Sequence, residues 1–198
     1  MDNNKQLIPA VAVKGIASGL LMMAGFTIIW AGIAFSGLRG TAPAWALLIF
    51  PVLAIVFAIK GIKLFGVAKL HPAIESEADK AEGKKMGMWF GIIFGAEGLL
   101  IFIAVNVVTN IGHPELTIPA IALVVGLHFF PLAKVFKRTL DYYLATWSTI
   151  IAVLAIVFSL NHILTQPAVA AFTGGGLAIA TSCYGLYMMY KGNKLDSY

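Results

Sequence analysis

Residues 142–190 read YYLATWSTIIAVLAIVFSLNHILTQPAVAAFTGGGLAIATSCYGLYMMY and contain no Asp, Glu, Lys or Arg. The run is continuously apolar rather than alternating, which favours helices over β-strands. A helix of about 20 residues crosses the hydrocarbon core of a bilayer, so this stretch is long enough for two crossings. Asn161-His162 and Gln166-Pro167 interrupt it with polar and helix-breaking residues. The stretch therefore predicts two transmembrane helices joined by a short turn.

The whole chain has the composition of a membrane protein. Of its 198 residues, 60% are hydrophobic and 12% are charged, whereas soluble proteins average about 45–50% and about 25%. A single soluble core of this size cannot bury that much apolar surface, so lipid must surround much of it. We expect one transmembrane domain that covers residues 1–198.

Six segments are long and apolar enough to span a bilayer, which predicts an all-α bundle of six transmembrane helices. They cover residues 12–36, 42–65, 87–109, 117–136, 144–163 and 168–190. The first segment is longer than the apolar region of a signal peptide, which has about 7–15 residues, so we interpret it as a span.

The distribution of Lys and Arg predicts the orientation of the bundle. With the N-terminus inside, thirteen of the fourteen basic residues fall on the cytoplasmic side and only Arg39 falls outside. Cytoplasmic loops are enriched in Lys and Arg, so both termini are predicted to be cytoplasmic. The net charge of +5 is dispersed between apolar runs, which excludes a nucleic-acid-binding patch.

The even-numbered spans begin with one pattern, T-x-P-A-x-A, at Thr41, Thr117 and Thr165. Threonine is a good helix N-cap and proline is favoured in the first turn. We therefore predict three helical hairpins of like orientation, each running in, out and in again. Internal duplication and convergent capping chemistry both account for the repeat.

Glu97 is the only acidic residue within a predicted span, and it lies ten residues into the third, or about 15 Å along the helix. His128 lies eleven residues into the fourth span from the other side, about 16 Å deep. A charged side chain near the bilayer centre costs on the order of 2.5–3.5 kcal/mol, so Glu97 must be neutral or paired. We predict a substrate or proton site formed by Glu97, His128 and Asn106. The alternative is a hydrogen bond that only joins two helices.

Gly87, Gly91 and Gly95 form a GxxxGxxxG ridge on the third span. Such ridges allow another helix to approach closely. Glu97 points away from the ridge, since successive residues turn by about 100°. The third span is therefore predicted to pack on two sides and to be central in the bundle.

Three further features concern helix shape. Pro51 and Pro131 are predicted to kink the second and fourth spans, and Gly174–Gly176 to allow close packing in the sixth. In the largest loop, residues 66–86, a short polar helix is predicted to begin at Pro72.

The outer rim carries His113, Glu115, Asn161 and His162. Two histidines and a glutamate are chemically adequate for zinc, but their spacing matches no metal motif, and residues of these types commonly cap helix ends. We predict no metal site. The single cysteine, Cys183, excludes an internal disulfide and is predicted to be buried.

Known catalytic and nucleotide-binding signatures are missing from the sequence. It contains no P-loop, G-x-S-x-G, H-E-x-x-H or dinucleotide fingerprint, so we predict neither an enzyme nor a cofactor. The segment GLHFFPLA at 126–133, which leads into Lys134, resembles a stretch of multi-pass bacterial membrane proteins to which no activity is assigned. That resemblance implies a location in the bacterial inner membrane.

Three functions compete at this point. The first is a transporter or channel for a small solute or ion, with Glu97 and His128 at its centre. The second is a structural or accessory subunit that binds other membrane proteins or a second copy through its glycine ridges and basic loops. An intramembrane enzyme acting on lipid ranks last. The partner common to all three is the lipid bilayer.

Overall fold

The computed structural model describes residues 9–71 and 77–196, and all regular structure in these two ranges is helical. Six helices are long and apolar enough to cross a membrane, as predicted. They are α1 Ala10–Leu38, α2 Ile49–Ala68, α3 Glu77–Asn110, α4 Thr117–Phe136, α5 Thr139–Leu160 and α6 Gln166–Asp196. Two 3₁₀ segments, Ala42–Leu48 and Pro114–Leu116, lead into α2 and α4.

The centre of the bundle is α6, which packs on α1, α2, α4 and α5. In its apolar window 61% of the residues are buried, against 11% in α3. The main neighbour of α3 is α4. The prediction that the third span is central is therefore wrong: α3 lies at the edge of the bundle and has most of its surface exposed.

Close helix contacts depend on glycines of α1 and α6, not on those of α3. A Cβ atom at Gly174 would lie 2.5 Å from the backbone nitrogen of Ala34, and one at Gly176 would lie 2.7 Å from the Ile151 side chain. The close packing predicted for Gly174–Gly176 is thus confirmed at Gly174 and Gly176.

The ridge on α3 has no partner among the residues that the structure describes. No atom of the described residues lies within 4 Å of a Cβ built at Gly87, Gly91 or Gly95. None of the helices described above occupies the surface that these glycines leave open.

The starts of the helices differ from the predicted capping pattern. Thr41 precedes the first 3₁₀ segment, but its hydroxyl donates to the Leu38 carbonyl at 2.7 Å and caps nothing. The Thr117 hydroxyl likewise donates backwards, to the Pro114 carbonyl. Pro51 lies in the first turn of α2, directly after the 3₁₀ segment, where proline is well tolerated; the predicted kink stays a prediction.

Helix α3 also begins earlier than predicted. Residues 77–86 continue directly into the apolar part of the helix, so they are not a separate polar helix. The predicted start at Pro72 lies outside the described residues. Cys183 is exposed on the surface of α6, which contradicts its predicted burial.

Candidate functional site

Glu97 of α3 and His128 of α4 meet where the two helices pack together. The distance from Glu97 Oε1 to His128 Nδ1 is 3.4 Å, and the two side chains are only 9% and 8% exposed. The contact expected from their equal depth is therefore present. Its chemical role remains a prediction.

The histidine has a second partner that fixes its ring. His128 Nδ1 lies 2.5 Å from the Val125 carbonyl of the preceding helical turn. A carbonyl only accepts, so Nδ1 carries a hydrogen and, in the neutral ring, Nε2 is the free acceptor. The Val125 carbonyl, and not the Glu97 carboxyl group, is therefore the closer acceptor for the Nδ1 hydrogen. Among the described residues, no side chain donates a hydrogen bond to the Glu97 carboxyl group.

Aromatic rings enclose the histidine. The Phe129 ring centroid lies 4.3 Å from that of His128, and the Phe94 ring meets it edge-on at 5.6 Å. Phe129 and Ile93 belong to a buried cluster shared by α3, α4 and α5. These rings exclude water from one side of the imidazole and hold it at a fixed position relative to Glu97.

A groove of about 330 Å³ between α3 and α4 reaches the pair. This volume lies at the lower end of the range of about 300–1,000 Å³ found for small-molecule sites. Apart from Glu97 and His128, the lining side chains are all apolar. They are Ile92, Ile93, Ala96, Leu100, Val124, Leu127 and Pro131.

Asn106 does not belong to this site. It lies nine residues beyond Glu97, which places it about 13.5 Å further along α3 and half a turn round the helix. Its side chain is exposed, and Nδ2 donates to the Phe102 carbonyl of its own helix at 2.8 Å. The prediction that Asn106 joins Glu97 and His128 is wrong.

No protein-family model, no curated protein and no solved structure matches this chain.

The rim residues form a local pair and a helix end. His113 Nδ1 lies 2.7 Å from Glu115 Oε1 in the loop before α4. Asn161 donates to the Val157 carbonyl and His162 has a φ of 53°, so both finish α5. In the described parts of the chain, no three His, Cys, Asp or Glu side chains are grouped to hold a metal ion.

A polar cluster that the sequence did not indicate lies between α5 and α6. Asp141 is fully buried, and the Tyr184 hydroxyl and the Arg138 guanidinium lie close to its carboxyl group. Beside it, Arg138 Nη1 donates to the Tyr184 hydroxyl at 2.8 Å, and the guanidinium lies 4.8 Å from the Phe136 ring centroid. These groups join the start of α5 to α6.

The sequence pattern that could have indicated this cluster is a helical spacing of residues that includes Asp141. Asp141, Leu144, Ala145 and Ser148 follow one another at intervals of three and four residues, and all four are buried on one face of α5. The predicted start of the fifth span at residue 144 left Asp141 in a loop. The helix in fact begins at Thr139, so Asp141 lies inside it.

Proposed function

We propose that this multi-pass membrane protein is a transporter or channel for a small solute or ion that binds at Glu97 and His128. The supporting observation is a buried carboxyl group, 3.4 Å from a histidine, that receives no hydrogen bond from a described side chain and lies on a groove. Ionisable groups inside membrane spans are expensive and typically serve transport.

The orientation of the bundle is part of this proposal. Three hairpins of like direction with both termini in the cytoplasm place thirteen of fourteen basic residues on the inner side, which supports a bacterial inner-membrane location. The proposal includes no metal, no cofactor and no catalytic step, because the pair has no known nucleophile motif beside it.

The pair can pass a proton or hold a cation without a large movement. Glu97 offers a carboxyl group to the groove, while Val125 holds the histidine through Nδ1. His128 Nε2 remains as an acceptor in the neutral ring. A proton that reaches Glu97 therefore has a second base within the same pocket.

Proton flux into proteoliposomes tests the proposal directly. A pH-sensitive dye inside the vesicles should report flux for the wild-type protein and only background flux for Glu97→Gln, which keeps the shape of the side chain and loses its ionisation. The matched control is Glu82→Gln, an exposed acid on the polar end of the same helix, which should retain wild-type flux. Equal flux for wild type and Glu97→Gln would contradict the proposal.

The open ridge on α3 favours an accessory role as the second candidate. Gly87, Gly91 and Gly95 leave a surface that a helix of another protein can approach. In a Cys183→Ser background, Gly91→Cys should then form disulfide-linked species in native membranes. Exclusively monomeric protein after oxidation would argue against this role.

A further inference from the structure

The groove opens on the outer surface of the bundle. Three of its lining residues are about half exposed, namely Ile92 at 51%, Leu100 at 52% and Leu127 at 49%. They belong to the apolar parts of α3 and α4, where lipid surrounds a membrane-spanning helix. A molecule that partitions into the bilayer can therefore enter the groove from the side, without crossing a water-filled vestibule.

The groove has a single polar region. The Glu97 carboxyl receives no hydrogen bond from a described side chain, and the Nδ1 hydrogen of His128 is donated to Val125. What the site lacks is a hydrogen-bond donor or a positive charge directed at the Glu97 oxygens. The rest of the lining is hydrocarbon and aliphatic ring, which suits an unbranched apolar chain.

We propose that the α3–α4 groove binds a lipophilic amine, a molecule with one amino group and a hydrocarbon tail, taken laterally from the bilayer. The amino group lies at Glu97 and the tail lies along Ile92, Leu100 and Leu127. This inference rests on the proposed function, since it names the substrate class of the same site. The same ion pair forms from either protonation state. A neutral amine takes the proton of the Glu97 carboxyl group, or an ammonium ion pairs with the Glu97 carboxylate.

Complementarity of charge selects an amine over other amphiphiles. A fatty acid is no base and cannot take the proton of a neutral Glu97, and as a carboxylate it would repel an ionised Glu97 in low dielectric. A neutral alcohol or an alkane fits the hydrocarbon lining equally well but forms no ion pair. The competing occupant is an acyl chain of ordinary membrane lipid, which would fill the groove without using Glu97.

Photolabelling in lipid nanodiscs separates these occupants. The probe is dodecylamine with a diazirine in its chain, and the comparison compound is the dodecanol with the same diazirine. Labelled residues are mapped by peptide mass spectrometry. We expect the amine to label α3 and α4 around the groove and to be competed by unlabelled dodecylamine. The alcohol should label the exposed faces of all six helices alike.

Two variants with one matched control make the result specific. Glu97→Gln should weaken competition by dodecylamine about tenfold, the scale of one charged hydrogen bond. Leu100→Trp should fill the groove and abolish the local labelling. Leu99→Trp, which alters a neighbouring exposed residue outside the lining, should leave it unchanged. Size-exclusion profiles identical to wild type show that each variant is folded.

The outcomes separate this inference from the proposed function. Amine labelling that spreads evenly over the lipid-facing surface, or that is equal in Glu97→Gln, overturns the lipophilic-amine site and leaves lipid as the occupant. Proton flux that depends on Glu97 without local amine labelling overturns the inference and keeps the transport function. Local, Glu97-dependent labelling without flux of either protons or dodecylamine supports the binding site and overturns transport.

Discussion

Glu97 is held against His128 by the packing of α3 on α4, and a functional pair and a helix lock predict different hydrogen bonding at this contact. A carboxyl group that locks two helices should be hydrogen-bonded, because a buried polar group without a partner is costly. The closest atom of His128 is 3.4 Å away and its hydrogen is directed at Val125. We therefore expect the pair to contribute little to stability, as a binding site would and a helix lock would not.

Glu97→Leu tests this at the level of stability. We expect its melting temperature in detergent to equal or exceed that of the wild type, by about 2–4 °C for each kcal/mol gained in a chain of this size. Proton flux and amine labelling should be lost. A clear fall in melting temperature would instead identify Glu97–His128 as a structural lock.

Tyr184→Phe tests the cluster at the start of α5. It removes the hydroxyl that accepts from Arg138 beside the fully buried Asp141. The loss of this hydrogen bond should reduce the free energy of unfolding by about 1 kcal/mol or somewhat more, since one partner is charged. Tyr143→Phe, at an exposed position of α5, is the matched control and should have no effect in the same denaturation experiment.

The glycines of α3 and α6 show what a helix-level pattern can and cannot predict. A four-residue spacing identifies a face that another helix is able to approach, but it contains no information about whether a helix arrives. On α6, Gly174 contacts the backbone of α1, whereas on α3 the position of a Cβ at Gly91 is empty. The central position predicted for the third span failed for this reason.

Alanine at the two positions should have opposite consequences. Gly174→Ala forces Cβ to within 2.7 Å of the Trp30 carbonyl and should destabilise the protein by about 1–3 kcal/mol. Gly91→Ala meets no atom of the described residues and gains helix propensity, so the stability of this variant should be unchanged or slightly higher. Thermal unfolding of the purified protein compares them. Similar losses at both sites would indicate that a second protein covers α3.

Helix existence followed from the sequence, and helix ends did not. Continuous apolar runs predicted all six helices, because a helix satisfies its own backbone hydrogen bonds in lipid whereas barrel strands alternate apolar and polar residues. The start of α5 at Thr139 depends instead on the left-handed conformation of Lys137, which ends α4. A lysine gives little signal for that conformation. The contact between Glu97 and His128 was predictable from their positions along α3 and α4. The groove beside them was not, because its shape depends on how the side chains pack.

At the scale of the whole molecule, α1 and α6 form the stable body and α3 is attached mainly through α4. A hydrogen bond of 3.0 Å between the hydroxyls of Thr27 and Thr181 joins α1 to α6 in the core. The groove thus lies between α4, which also packs on α5 and α6, and the peripheral helix α3. Lateral opening of the groove would separate α3 from one main neighbour only.

The orientation of the molecule is testable by cysteine accessibility in a Cys183→Ser background. In right-side-out membrane vesicles, a membrane-impermeant maleimide should label Arg39→Cys directly. It should label Lys85→Cys only after the vesicles are permeabilised, since Lys85 is predicted to be cytoplasmic. Labelling of Lys85→Cys in sealed vesicles would reverse the assignment of inside and outside.

Helix α3 is longer than the hydrocarbon core of a bilayer is thick. Its 34 residues extend about 51 Å, whereas the hydrocarbon core is about 30 Å thick. The polar residues from Glu77 to Met86 therefore extend beyond the hydrocarbon core, and they belong to the same continuous helix as Glu97. Because the main neighbour of α3 is α4, we expect a change in bilayer thickness that alters the tilt of α3 to change the width of the groove as well.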